Sequence, residues 1–130
     1  MALSVLIVDD SPLMRAFVRR VMSLAGFDSA DYVEASDGQE ALACLKAHHI
    51  DVILTDINMP GMNGEEFLRQ LENDGKLRTV PAVVISTDAT RDRVDRMLQL
   101  GAQGYVTKPF SPEVLGAELQ RVLEGKHAVE

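Results

Sequence analysis

Val5-Leu6-Ile7-Val8-Asp9-Asp10-Ser11-Pro12 carries the first decision about this chain. Four apolar residues, two aspartates and a Ser-Pro pair read as a buried strand, a polar strand end and the start of a helix. The same grammar recurs downstream. Val52-Ile53-Leu54-Thr55 runs into Asp56, Ala82-Val83-Val84-Ile85 into Ser86-Thr87, and Tyr105-Val106-Thr107 into Lys108-Pro109. Longer stretches of helical period separate these runs, the pattern of a doubly wound α/β fold. In such a sheet all four strand ends lie on one edge, where open α/β sheets place their ligands.

The helix signals are local and specific. Ser11-Pro12 supplies an N-cap and an N1 proline, after which Leu13, Phe17, Val21 and Leu24 are expected on one buried face and Gly26 at the C-terminus. Asp37 with Glu40 and Asn63 with Glu66 are capping-box pairs, the first opening a helix through His48. Thr90 is expected to cap a helix with Val94, Met97 and Leu98 inward and Gly101 at its end. Ser111-Pro112 starts the last helix, with Leu115, Leu119, Val122 and Leu123 inward. The polar strand at Asp31–Ala35 belongs at a sheet edge. The expectation is five strands and five helices in a single domain over 1–130, core about 3–124, fraying from Lys126.

Bulk properties narrow the function. A chain of 130 residues, 46% hydrophobic and 25% charged, has the size and composition of one globular domain. A net charge of −7 and the lack of a Lys/Arg cluster argue against nucleic-acid binding. No apolar stretch approaches the roughly 20 residues of a membrane helix, and the N-terminus does not read as a signal peptide. With Cys44 as the single cysteine, a cytoplasmic setting is expected and Cys44 reads as an apolar filler.

The strand ends carry the chemistry. Adjacent aspartates before a helix are often only caps, but Asp56 adds a third carboxylate from a neighbouring strand. Two like charges about 4 Å apart repel by roughly 4 kcal/mol at an effective dielectric of 20. A cation is therefore expected, and hard oxygen ligands in a small site suit Mg²⁺, with Mn²⁺ as a substitute. Lys108 returns one positive charge, leaving an excess that one divalent ion neutralises. Lys108 and the Ser86 hydroxyl can donate to phosphoryl oxygens, while an aspartate can attack phosphorus and form an acyl phosphate. The Met59-Pro60-Gly61-Met62 loop reads as a shaping turn, with only the Asn58 backbone carbonyl within expected reach of a metal. His48, His49 and His127 lack metal spacing, and Arg91/Asp95 and Asp92/Arg96 read as i,i+4 pairs on a solvated face.

Asp9-Asp10, Asp56 with Met59-Pro60-Gly61, Ser86-Thr87 and Lys108-Pro109-Phe110, in that order, resemble a response-regulator receiver domain over about 3–124. Tyr105 three residues before Lys108 and Asn58 two after Asp56 make the chain most similar to the stand-alone chemotaxis type. The resemblance implies a flavodoxin-like sheet of order 2-1-3-4-5 and a cis Lys108–Pro109 bond. It implies Asp56 as phosphoacceptor from a histidine kinase, with Lys108 and Ser86 holding the phosphoryl oxygens. Asp10, Asp56 and the Asn58 carbonyl would ligate Mg²⁺, with Asp9 acting through bound water. Ser86 and Tyr105 would form the switch, Tyr105 turning inward on phosphorylation, and a downstream target protein would read it.

Arg91, Val94 and Tyr105 are the expected partner face, on a monomer or weak phosphorylation-linked dimer. Such a switch catalyses its own phosphorylation and hydrolysis without a separate substrate. Thr87, where many relatives carry alanine or glycine, is expected to narrow access to the acyl phosphate. Asp88, where fast-hydrolysing members carry glutamate, is expected to orient water less well and give a moderately short phosphoryl lifetime. Two other readings are a receiver cut from a longer transcriptional regulator and a phosphatase of the haloacid-dehalogenase type, whose DxD first strand and cap have no counterpart here.

Overall fold

The computed structural model describes residues 2–129, with side chains through residue 125. Five strands, β1 (Ser4–Val8), β2 (Asp31–Ala35), β3 (Val52–Thr55), β4 (Ala82–Ser86) and β5 (Gly104–Thr107), form one parallel sheet. Its order is β2-β1-β3-β4-β5, so the polar strand does lie at an edge. Five helices connect and cover it: α1 (Pro12–Met22), α2 (Gly38–Ala47), α3 (Gly64–Asn73), α4 (Arg91–Gln99) and α5 (Pro112–Val129). The fraying expected from Lys126 falls on side chains outside the described residues.

Because parallel strands need crossover helices, both faces of the sheet are buried, and the central strands are apolar except for Ser4, Thr55 and Ser86 at their ends. Alternation divides them between two cores. Leu6, Val8, Ile53 and Val84 face Ala41, Leu45, Phe67, Leu68, Leu71 and Met97 from α2, α3 and α4. Val5, Ile7, Val52, Leu54, Val83, Ile85 and Val106 face Val18, Val21 and Met22 of α1 and Leu115, Leu119 and Val122 of α5.

The caps form largely as their chemistry requires. Ser11 accepts from the Met14 amide at 3.1 Å, and Asn63 and Glu66 make the complete reciprocal box. At α2 the Asp37 carboxylate accepts from the Glu40 amide, but Glu40 reaches back to Ser36. Thr90 holds the N-cap position without a side-chain cap; its amide and hydroxyl both donate to Asp88.

Two apolar stripes are corrected. Leu13 (83% exposed), Phe17 and Leu24 lie outward; of the expected stripe only Val21 is buried, and Val18 and Met22 join it. The stripe drawn through Leu13 and Phe17 follows the wrong side of the helix, though Phe17 packs its edge on Phe110 at 5.8 Å. A wide helical turn at Ser23–Phe27 continues α1, and Gly26, at φ 103°, breaks the helical conformation where the sequence placed the helix end. On α4 only Met97 is fully buried, and Leu98 is exposed. Cys44 is half-buried against the first core, and burial pushes its thiol pKa up.

The carboxyl end of β3 is fixed from the far side by a close approach. A Cβ on Gly64 would lie 2.3 Å from the Asp56 carbonyl oxygen and 2.7 Å from the Ile57 Cα. Both are backbone atoms, which cannot swing aside, and the Gly64 amide donates to the Ile57 carbonyl at 2.8 Å. Gly64→Ala is expected to cost about 2 kcal/mol or more through overpacking, read as a lower urea midpoint. An unchanged midpoint would contradict this account of α3 seating.

Candidate functional site

Register brings the two acidic strand ends side by side. Val8 pairs with Thr55 across β1 and β3, so Asp9 and Asp56 are the next residues on adjacent strands. The Asp9 amide donates to the Ala35 carbonyl and the Asp56 amide to the Val8 carbonyl, carrying the ladder one step past each strand. On the other side Ser86 pairs with Thr107, and the Lys108 amide donates to the Ser86 carbonyl at 2.8 Å. The Lys108–Pro109 bond is cis, as the resemblance implied.

Carboxylate oxygens of Asp9, Asp10 and Asp56 lie within 4.8 Å of one another. Asp9 is buried, Asp56 half-buried and Asp10 exposed. The Lys108 ammonium stands 3.6 Å from Asp9 and 3.5 Å from Asp56. Asp9 also accepts from the Ser11 amide at 2.9 Å, and Asp56 from the Ile57 amide at 2.7 Å. Burial above all holds the Asp9 carboxyl above the usual aspartate range, the Ser11 bond opposing and nearby Asp56 adding to the rise. Three carboxylates against one ammonium, all oxygen donors and partly open to solvent, fit a hard divalent cation. Asn58 is exposed on the loop after β3.

Ser86 is buried at the end of β4, and its hydroxyl accepts from the Asp88 amide at 3.1 Å. Tyr105 is half-buried, and its hydroxyl donates to the Asp88 carbonyl. Burial pushes the Tyr105 phenol pKa up, with the nearby Ser86 hydroxyl opposing. The Asp88 carboxylate is itself engaged, with Thr90 at 2.7 Å and Arg93 at 3.5 Å. Thr87 and Arg91 are exposed and Val94 is half-buried.

Some supporting residues escaped sequence reasoning. Arg15 donates to the Asp9 carbonyl at 2.6 Å while its guanidinium is held by Glu34 at 2.9 Å. Nothing in a surface-looking helix Arg signals that contact, because it depends on β2 lying beside β1. The Pro-Gly loop after β3 is held by the Met62 carbonyl, which accepts from the Gly38 amide at the start of α2. The expected pairs within α4 are also corrected. Arg96 reaches Glu65 of α3 at 2.7 Å instead of Asp92; among the described residues no ion pair joins Arg91 to Asp95.

Comparison with known proteins places a sheet edge of this kind in one family. The response regulator receiver domain family model matches residues 5–120. The chain is 36% identical over 122 residues to the chemotaxis protein CheY of Pseudomonas aeruginosa, covering 94% of this chain and 97% of that protein. It is 35% identical to CheY1 of Helicobacter pylori, with coverage of 93% and 97%. The solved structure of Vibrio cholerae CheY4 superposes with a TM-score of 0.83 at 36% identity, over 95% of this chain and all of that one. A probable two-component response regulator/GGDEF protein matches with a TM-score of 0.83 and 32% identity, this chain spanning half of its length. The chain belongs to the response regulator receiver domain family, a class of two-component signalling switches and not of conventional enzymes. That membership sets aside the haloacid-dehalogenase reading.

A pH and metal dependence follows from Asp9. Its folded carboxyl binds a proton more tightly than in the unfolded chain, so without a cation its ionised form works against stability at neutral pH. That penalty fades as pH falls through the raised folded pKa. Asp9→Asn is expected to raise Tm by a few degrees at neutral pH without divalent ions and to diminish the rise given by Mg²⁺. Thermal unfolding with and without Mg²⁺ checks both.

Proposed function

We propose that this protein is a Mg²⁺-dependent phosphoacceptor switch of a two-component system, phosphorylated on Asp56 by a histidine kinase. The convergence of Asp9, Asp10 and Asp56 with Lys108 and Ser86 on one sheet edge carries this reading. An Asp56 carboxylate oxygen attacks the phosphorus of a phosphohistidine, forming an acyl phosphate as the N–P bond breaks and the imidazole leaves, taking up a proton. Bound Mg²⁺ would supply charge neutralisation and orientation for the phosphoryl oxygens, held by Asp10, Asp56 and the Asn58 carbonyl, with Asp9 acting through water. The Lys108 ammonium donates to one phosphoryl oxygen, and the Ser86 hydroxyl to another after releasing the Asp88 amide. Hydrolysis of the acyl phosphate by water resets the switch.

Ser86 and Tyr105 relay the change. When the Ser86 hydroxyl turns to the phosphoryl group, the space beside it admits the Tyr105 ring, re-forming the face that includes Arg91 and Val94. A downstream target protein reads that face, in the cytoplasm, with the switch a monomer or a weak phosphorylation-linked dimer. The match over nearly the whole length of chemotaxis proteins supports a chemotaxis-like role. The match to half of a response regulator/GGDEF protein supports the second reading, a receiver within a longer regulator. The mass of the native gene product separates the two.

Intact-mass analysis with Mg²⁺ and acetyl phosphate is expected to show one added phosphoryl group. The adduct should be absent from Asp56→Asn and from wild type in EDTA. Persistence of both the donor and the unmodified protein would defeat the proposal, whereas consumption of donor without an adduct would mark rapid turnover at Asp56. Lys108→Ala is expected to slow phosphorylation at least tenfold, through loss of a positioned positive charge beside the acceptor.

A further inference from the structure

Glu65, the second residue of α3, gathers three guanidinium groups. Arg96 lies at 2.7 Å, Arg69 at 3.3 Å and Arg93 at 3.8 Å. Arg69 comes from the same helix, but Arg93 and Arg96 come from α4. Arg93 continues to the Asp88 carboxylate at 3.5 Å. Asp88 is the residue on which the switch elements meet, its amide donating to Ser86 and its carbonyl accepting from Tyr105.

The position of this cluster gives it leverage. Gly64, next to Glu65, abuts the Asp56 backbone without room for a Cβ, so the start of α3 moves with the acceptor strand. In contrast, α4 buries only Met97 fully and is otherwise held lightly. A helix with so small an apolar anchor depends more than its neighbours on polar restraints. Asp88, joined to Arg93, has its backbone position tied to wherever α4 sits.

We propose that Glu65, Arg93 and Arg96 form an electrostatic latch between α3 and α4 that holds the Asp88 carbonyl beneath the Tyr105 hydroxyl and so biases the switch towards the Asp88-bonded position of Tyr105, here called inward. Neither Glu65 nor the arginines touch the reacting groups; they are positioning residues acting through Asp88. The proposal rests on the reading of Tyr105 as a switch residue. It adds that the resting balance of that switch is set by cross-helix charge, independently of phosphate. Exposed ion pairs weaken as salt shortens the screening length to about 3 Å near 1 M, so salt should move Tyr105 in a protein that carries the latch.

The chain has two tyrosines, Tyr32 and Tyr105, so 3-fluorotyrosine labelling gives two ¹⁹F resonances, assigned with Tyr32→Phe. In unphosphorylated protein, Glu65→Gln and Arg96→Gln are each expected to move the Tyr105 resonance towards its outward position. The inward-to-outward ratio should fall roughly two- to fivefold, the scale of exposed pairs. The double variant should add little to either single change. Raising salt from about 0.05 M to about 1 M should move wild type in the same direction and leave Glu65→Gln nearly still. Arg69→Gln, which removes only the pair within α3, should have little effect.

Unmoved Tyr105 in both Glu65→Gln and Arg96→Gln, or an equal shift in Arg69→Gln, would overturn the latch. Acetyl phosphate with Mg²⁺ on the same samples tests the underlying switch separately. A Tyr105 shift on phosphorylation with none in the latch variants removes the latch and keeps the switch. The reverse result keeps the latch and removes the phosphorylation coupling.

Discussion

The repulsion among Asp9, Asp10 and Asp56 is the constraint from which the rest of the site follows. Three carboxylates with oxygens inside 4.8 Å persist only if the backbone leaves them nowhere else to go and opposite charge is near. Both conditions are met by ordinary elements of the fold. The β1–β3 ladder places Asp9 and Asp56 side by side, and the apolar strands behind them, buried on both faces, resist any slip of register. Lys108, delivered from β5 across β4, supplies the near positive charge. The acidic edge is thus repulsive locally and held in place by the two cores behind it.

Ser86 and Tyr105 extend this arrangement away from the acids. Both engage Asp88, one through its amide and the other through its carbonyl, so the loop between β4 and α4 cannot change at one contact without disturbing the other. The lightly buried α4 beside it can shift at less cost than α3, whose N-terminus is seated directly on the Asp56 backbone. The sheet edge at β5 is meanwhile secured by α5, where Glu118 accepts from the Tyr105 amide and Arg121 donates to the Gln103 carbonyl. Tyr105 is therefore a side chain carried on a fixed strand.

Much of this was legible in the sequence because the signals were local or periodic. Apolar runs ending on Asp9, Asp56, Ser86 and Lys108 announced the strands and their chemistry, and Ser11-Pro12 and Asn63/Glu66 announced helix starts through hydrogen bonds spanning three residues. The topology and the roles of individual site residues leaned on family resemblance, since nothing in four similar runs orders them in a sheet. The α1 stripe held only at Val21, for an instructive reason. Leu13, Phe17 and Leu24 satisfy a helical period, but period gives a face without saying which face meets the sheet, and Val18 and Met22 provided a better one.

The sequence by itself determined the alternation of strands and helices, the two-sided burial of the central strands and the chemical identity of the groups at their ends. Those properties depend on neighbours within a turn or a strand. Tertiary structure alone decided that Arg15 grips the Asp9 backbone, that Gly64 has no space for a methyl group and that Arg93 and Arg96 turn to Glu65 instead of to their own helix. Each is a contact between segments whose separation along the chain carries no periodic trace. A charged side chain chooses among partners by distance, and the fold sets those distances.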